Sequence, residues 1–203
     1  SDSGVSEMSE VKVDKISPRS GTDVTLGDSG DTFTIPSGAT LTNSGTASGF
    51  GKVLQVVSST KTDTASTTST SFVTTGLEAT ITPASTSNKI YIVVTSSMAM
   101  DADTAPYFQL YRDASVVSGA IGDTEGSRLR SSAGTHYQTG TAHSFNYLDS
   151  PSTTSATTYK WMWSVGSGRP GGSTIYLNFI SGTLNEVYYY TSPSTMTLME
   201  IAA

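Results

Sequence analysis

Along most of this chain apolar residues recur at every second position, in short runs that stop at Gly, Ser, Asp or Pro. A period of two is the signature of a half-buried strand. The runs predict strands at Lys52–Thr60, Ser69–Thr74, Leu77–Thr82, Lys89–Met98, Tyr107–Arg112, Ser115–Ala120, His143–Asp149, Thr157–Val165, Thr174–Ser181, Val187–Tyr190 and Thr195–Ile201. Turn chemistry separates them at Thr82-Pro83, Arg112-Asp113, Asp149-Ser150-Pro151, Gly166–Gly172, Ser181-Gly182 and Ser192-Pro193. Ala65–Ser71 is a Ser/Thr tract expected to be extended and exposed. The expected fold is all-β: a jelly-roll-like antiparallel β-sandwich head over residues 52–203.

Two of these strands break the in/out rule. Ile90, Ile92 and Val94 share one face of Lys89–Thr95, while Tyr91 and Val93 occupy the other. In the last strand Met196 and Leu198 oppose Met199 and Ile201. A strand apolar on both faces asks for a covered outer surface, so Tyr91, Val93, Met199 and Ile201 are candidate contacts with another copy of the chain.

The first fifty residues read differently. They hold no Trp or Tyr and seven of the seventeen acids. Segment 1–20 is mostly polar, with Val11, Val13 and Ile16 able to pair as one short strand, which fits either a frayed terminus or an anchor to a larger assembly. Over 21–51, Ser-Gly dipeptides at 29–30, 37–38, 44–45 and 48–49 punctuate the pieces Val24-Thr25-Leu26, Phe33-Thr34-Ile35 and Ala39-Thr40-Leu41. Each piece is too short to bury its apolar residues within one chain, and units of this kind gain stability by stacking on copies. Three chains wound together would place Val24, Leu26, Phe33, Ile35 and Leu41 on a shared axis, making a short repetitive β stem; a flexible Gly/Ser linker is the competing reading.

Composition sharpens this picture. Leu, Ile, Val and Phe number 39 of 203 residues, whereas 34 Ser and 33 Thr make up a third of the chain. Thr favours strands and Ser with Gly favours turns, so a helical protein is excluded. The net charge of −6 is too modest for the high-charge route to disorder. Eleven scattered basic residues and a pI near 4.7 argue against nucleic acid, which needs clustered cations. No apolar run approaches the roughly 20 residues of a membrane span, and Ser1–Glu10 lacks the features of a secretory signal. The absence of cysteine removes disulfides, thiolate metal sites and thiol nucleophiles.

Catalytic constellations are weak. The pairs Asp101/Asp103 and Asp123/Glu125 have glycosidase-like spacing but lie in turn-rich stretches, where solvated acids are the simpler reading. Asp28 and Asp31 lack the rest of a calcium loop. His136 and His143 have no carboxylate motif beside them, and no serine sits in a nucleophile elbow. The chain is therefore expected not to be an enzyme and to need no cofactor or metal. Binding has more support. Tyr159, Trp161 and Trp163 share one strand face, either as a sugar-stacking platform or as core, and Tyr188–Tyr190 add three rings. Arg128 and Arg130, with His136 and Tyr137 nearby, form a donor-bearing Gly/Ser-rich loop suited to an anionic glycan.

The stretch Asp14-Lys15-Ile16-Ser17-Pro18-Arg19-Ser20-Gly21-Thr22-Asp23-Val24-Thr25-Leu26-Gly27, followed by Phe33-Thr34-Ile35-Pro36-Ser37-Gly38-Ala39-Thr40, resembles the stem of virion fibre-like proteins of marine tailed bacteriophages. Val53-Leu54-Gln55-Val56-Val57, Leu148-Asp149-Ser150-Pro151 and the closing Thr197–Ala203 resemble that family's C-terminal module. The likeness spans nearly all of 11–203, and its motifs are structural rather than catalytic. It implies a virion structural component, usually homotrimeric, with a β-sandwich head on a thin stem, whose place in the virion differs among relatives. The expected function is a tail fibre or spike subunit, joined through residues 1–20 to another virion protein, whose head contacts the host surface, with a cell-surface glycan as the candidate ligand. The alternatives are a carbohydrate-binding module, a capsid-attached decoration or head-fibre protein and, behind these, a polysaccharide-degrading enzyme.

Overall fold

A computed structural model describes residues 14–45, 52–100, 105–135, 141–166, 173–179 and 190–203. The chain divides into two units, Ser1–Ser48 and Gly49–Ala203.

In the second unit the period-two pattern becomes β1 (Val53–Lys61), β2 (Ala65–Thr67), β3 (Val73–Ile81), β4 (Lys89–Met100), β5 (Pro106–Arg112), β6 (Ser115–Val116), β7 (Ala133–Gly134), β8 (Thr141–Asp149), β9 (Thr157–Val165), β10 (Ile175–Leu177) and β11 (Ser194–Ile201), with one 3₁₀ turn at Ser118–Ala120. Every described pairing is antiparallel. One sheet runs β1–β11–β4–β8, with β10 beside the end of β4 and β2 beyond it. The other runs β3–β9–β5–β6, with β7 also on β5. Count only β1, β3, β4, β5, β6, β8, β9 and β11. The first, last, third and sixth then share one sheet, and the second, seventh, fourth and fifth share the other. That is the strand order of a jelly roll, the sandwich the alternation predicts.

The inner faces carry the core. Ile90, Ile92 and Val94 of β4, with Met196 and Leu198 of β11, meet Leu77 and Ile81 of β3, Phe108 and Leu110 of β5, and Tyr159, Trp161 and Trp163 of β9. Trp161 stacks between Phe108 (ring centroids 5.3 Å) and Phe145 (5.5 Å). These rings supply the apolar volume that a Leu-poor chain otherwise lacks, since each aromatic buries about 150–250 Å². Outer faces are knitted by hydroxyl pairs such as Thr80–Thr158 (2.8 Å) and Ser58–Thr197 (3.3 Å), which explains how so much Ser and Thr is compatible with a sheet.

Several boundaries differ from the sequence expectation. Ser69–Thr74 is not a strand: β3 begins at Val73 and runs through Gly76, whose φ of +81° accompanies a register shift against β9 between Thr74 and Glu78. A left-handed residue inside a strand is a bulge, and Gly adopts it without steric cost. Part of the Ser/Thr tract, Ala65–Thr67, is not free extended chain but a strand paired with β10. Ser115–Ala120 yields only two strand residues, because the chain then turns at Ser118-Gly119-Ala120. Of Thr174–Ser181, Ile175–Leu177 forms a strand and Phe179 an isolated bridge to Thr191, while 180–181 and Val187–Tyr189, like Val11 and Val13, lie outside the described residues.

The described part of the first unit, 14–45, contains turns but no strand pairing within the chain. Of the four Ser-Gly dipeptides, 29–30 and 37–38 are turns with positive φ at Gly30 and Gly38, Gly45 has no positive φ, and 48–49 lies outside the described residues.

Candidate functional site

The structure separates the candidate residues into three groups with different surroundings. In the first unit Val24, Leu26, Phe33, Ile35 and Leu41 are all exposed, Phe33 to 66% and Leu41 to 69%. The chain around them is held locally: Asp28 N–H donates to Asp31 Oδ2 (2.8 Å) and Asp31 N–H to Asp28 O (3.0 Å). The Asp31 carboxylate therefore closes a turn, and among the described residues no cluster of three or more metal-ligating side chains occurs.

The second group lies on the outer face of the β1–β11–β4–β8 sheet. Register carries one row straight across four strands: Val56 opposite Met199, Met199 opposite Tyr91, Tyr91 opposite Leu148. Beside it run Ser58–Thr197–Val93–Asn146 and, at the sheet end, Val53–Ile201–Lys89. The structure thus brings Tyr91, Val93, Met199 and Ile201 onto one surface and adds Val56 and Leu148, exposed to 57% and 47%. Sequence reasoning missed these two. Val56 sits in a run with apolar residues on both strand faces, and Leu148 is the one large apolar residue at an outward position of β8, whose other outward residues are Ala142, Ser144 and Asn146. Both signals become legible only when the register is known. Lys89 is the single charged residue in these rows, and its Nζ donates to Ser150 Oγ (3.1 Å).

The third group is the basic loop. Arg128 is exposed and pairs at 3.3 Å with Glu125, itself exposed. Arg130 is half-buried; its Nε donates to Gly122 O (2.6 Å), and its own carbonyl accepts from Gln109 Nε2 (2.7 Å). The loop is thus pinned to β5, with Arg130 spent on its own turn and Arg128 turned to solvent. His136 and Tyr137 lie outside the described residues, as do Asp101 and Asp103.

The aromatic strand resolves in favour of core. Tyr159, Trp161 and Trp163 are fully buried between the sheets, so they cannot form a sugar-stacking surface. Alternation alone could not choose between the two readings, because it gives the shared face but not the side on which the second sheet packs.

Buried polar groups here serve architecture. Arg112 Nη1 and Tyr159 Oη both donate to Asp149 Oδ2, at 2.7 and 2.6 Å. Burial, then the bond to Asp149, pushes the Tyr159 phenol well above its ordinary range. Burial opposes the charge of Arg112, but Asp149 outweighs it and holds the guanidinium above its usual value. Glu200, fully buried, accepts from Ala84 N–H (2.7 Å), Asn88 Nδ2 (2.6 Å) and Gln55 Nε2 (2.6 Å). Burial alone would raise its carboxyl; hydrogen bonds from Gln55, Asn88 and the Ala84 and Ser85 backbone outweigh this and lower it. Neither acid opens to solvent.

No protein-family model matches the chain, and no curated protein matches it closely enough to count as a relative. Among the described residues no helix is long and apolar enough to cross a membrane.

Proposed function

We propose that this chain is a structural subunit of a phage virion, a tail fibre or spike protein. Three copies wind their 21–51 segments into a stem, and the jelly-roll heads face the host. The observation that supports it most strongly is the exposure of Val24, Leu26, Phe33, Ile35 and Leu41 in the single chain. Covering a side chain of this size gains about 2–3 kcal/mol at ~25 cal/mol per Å². In the single chain these five side chains gain little of this, because water still reaches them. Identical copies in closed symmetry supply the missing cover. A dimer would close a β stem poorly and leave strand edges open.

Residues 1–20 attach the subunit to another virion protein, whether of tail or capsid. Among the described residues of the basic loop, the exposure of Arg128 supports it as a contact for an anionic cell-surface glycan. The carbohydrate-binding alternative is weakened by the burial of Tyr159, Trp161 and Trp163.

Light scattering of the full chain tests the assembly, with an expected mass about three times 21.2 kDa. Leu26→Asp with Ile35→Asp lowers that mass while the head melts as before. A stable monomer at micromolar concentration overturns the reading. Antibody against the chain labels intact particles of the encoding virus in electron micrographs; unlabelled particles overturn the virion assignment.

A further inference from the structure

We infer that the outer face of the β1–β11–β4–β8 sheet is the surface through which the heads of neighbouring copies of this chain pack on one another. The inference rests on the homotrimer reading and adds to it the face used.

The two outer faces of the sandwich differ in kind. On the second sheet Glu78 stands opposite Lys160, which stands opposite Tyr111, with Thr74, Met162 and Gln109 in the next row. Covering that face takes two opposite charges out of water, a cost their mutual attraction rarely exceeds. On the first sheet the rows of Val56, Met199, Tyr91 and Leu148, of Ser58, Thr197, Val93 and Asn146, and of Thr60, Thr195, Thr95 and Ser144 hold no charge at all. The fourth row, Val53–Ile201–Lys89, carries the one charge of these four rows at the sheet end, so the other three meet those of a neighbouring copy without charge repulsion.

Area decides how it operates. Four strands about 4.8 Å apart and four same-face rows about 6.8 Å apart give roughly 500 Å² per copy. Around a threefold axis each face is divided between two neighbours, so three faces bury about 1,500 Å² in all and each pair of copies about 500 Å², below the ~1,000 Å² that a specific interface between two chains needs. The face is therefore too small to hold heads together from dilute solution. Copies already joined along residues 21–51 meet at an effective concentration of roughly millimolar, and there a contact this size suffices.

The absence of cysteine makes the test direct, since one introduced thiol is the only one present. Val56→Cys and Leu148→Cys place it at positions about half exposed in the single chain, and Thr80→Cys places it on the outer face of the second sheet. Each full-length variant is labelled with a maleimide at a concentration where light scattering gives the assembled mass. The expected result is labelling at 56 and 148 at least ~10-fold slower than at 80, a difference of about 1.4 kcal/mol in accessibility. In the Leu26→Asp, Ile35→Asp background, which separates the copies, labelling at 56 and 148 rises to the rate at 80. A trimeric mass with equal rates at all three sites overturns the face and leaves the trimer standing. A monomeric mass overturns both. Protection that persists in the separated chains also overturns the face, because its source is then the chain itself or a different partner.

Discussion

Replacing Glu200 with Gln tests the claim that a buried carboxylate clamps the sandwich end. The side chain is fully buried at the end of β11 and receives three donors: Gln55 from β1, and Ala84 N–H and Asn88 from the loop between β3 and β4. Gln keeps the shape but exchanges one acceptor for an NH₂, which then faces a donor. If the amide nitrogen takes the Oε2 position it opposes Gln55 Nε2, which is also engaged with Thr82 O (2.8 Å) and so resists turning round. Hydrogen bonds to a charged group contribute about 1.5–3 kcal/mol, and a buried donor left unsatisfied costs about 1–3 kcal/mol. Losing one bond, weakening two others and retaining the shape comes to roughly 2–4 kcal/mol. For a unit of this size that is a fall in melting temperature of about 5–15 °C.

The pH dependence supplies an independent readout. The folded-state carboxyl lies below its unfolded value, so its stabilisation is fully present above the unfolded pKa and is lost as pH falls through the folded one. Urea midpoints of the wild type should therefore drop on the acid side of about pH 4.5, and the Gln variant should drop less. A Gln variant within about 0.5 kcal/mol of wild type, with an unchanged acid limb, would falsify the clamp.

Asn178 is held at φ +68° and fully buried; its Nδ2 donates to Lys61 O (2.8 Å) and Asp63 O (2.9 Å), and its Oδ1 accepts from Ser194 Oγ (2.6 Å). Asn178→Ala should cost about 3–5 kcal/mol, and Asn178→Gly about 1 kcal/mol less, because Gly keeps the left-handed backbone while losing the same three bonds. Equal costs in chemical denaturation would show that the backbone conformation carries no strain. His143 Nε2 is buried without a hydrogen-bond partner, its ring lies 5.9 Å from Phe108, and burial lowers its pKa. The unfolded chain therefore takes up the proton first, so stability is unaffected above about pH 6.5 and declines as pH falls below it. His143→Gln should flatten that decline; identical urea midpoints for wild type at pH 7.5 and 5.5 would remove His143 from the account.

The alternation of apolar residues determined the fold class, and Thr157–Val165 even to its ends, because a period of two is a local property that any sheet must honour. Ser-Gly dipeptides determined the turns at Gly30 and Gly38, since positive φ is a demand on single residues. Tertiary structure alone decided which side of each strand met the second sheet. That choice put Tyr159, Trp161 and Trp163 in the core, where the same spacing would equally have made a binding face. It also decided register. Val56, Met199, Tyr91 and Leu148 come from four strands spread from one end of the head sequence to the other, and no local pattern announces that they form one row. Glu200 and Asn178 show the same limit from the polar side. In sequence each is an ordinary strand-end or loop residue; only long-range packing gives it donors and acceptors, and burial makes those bonds decisive.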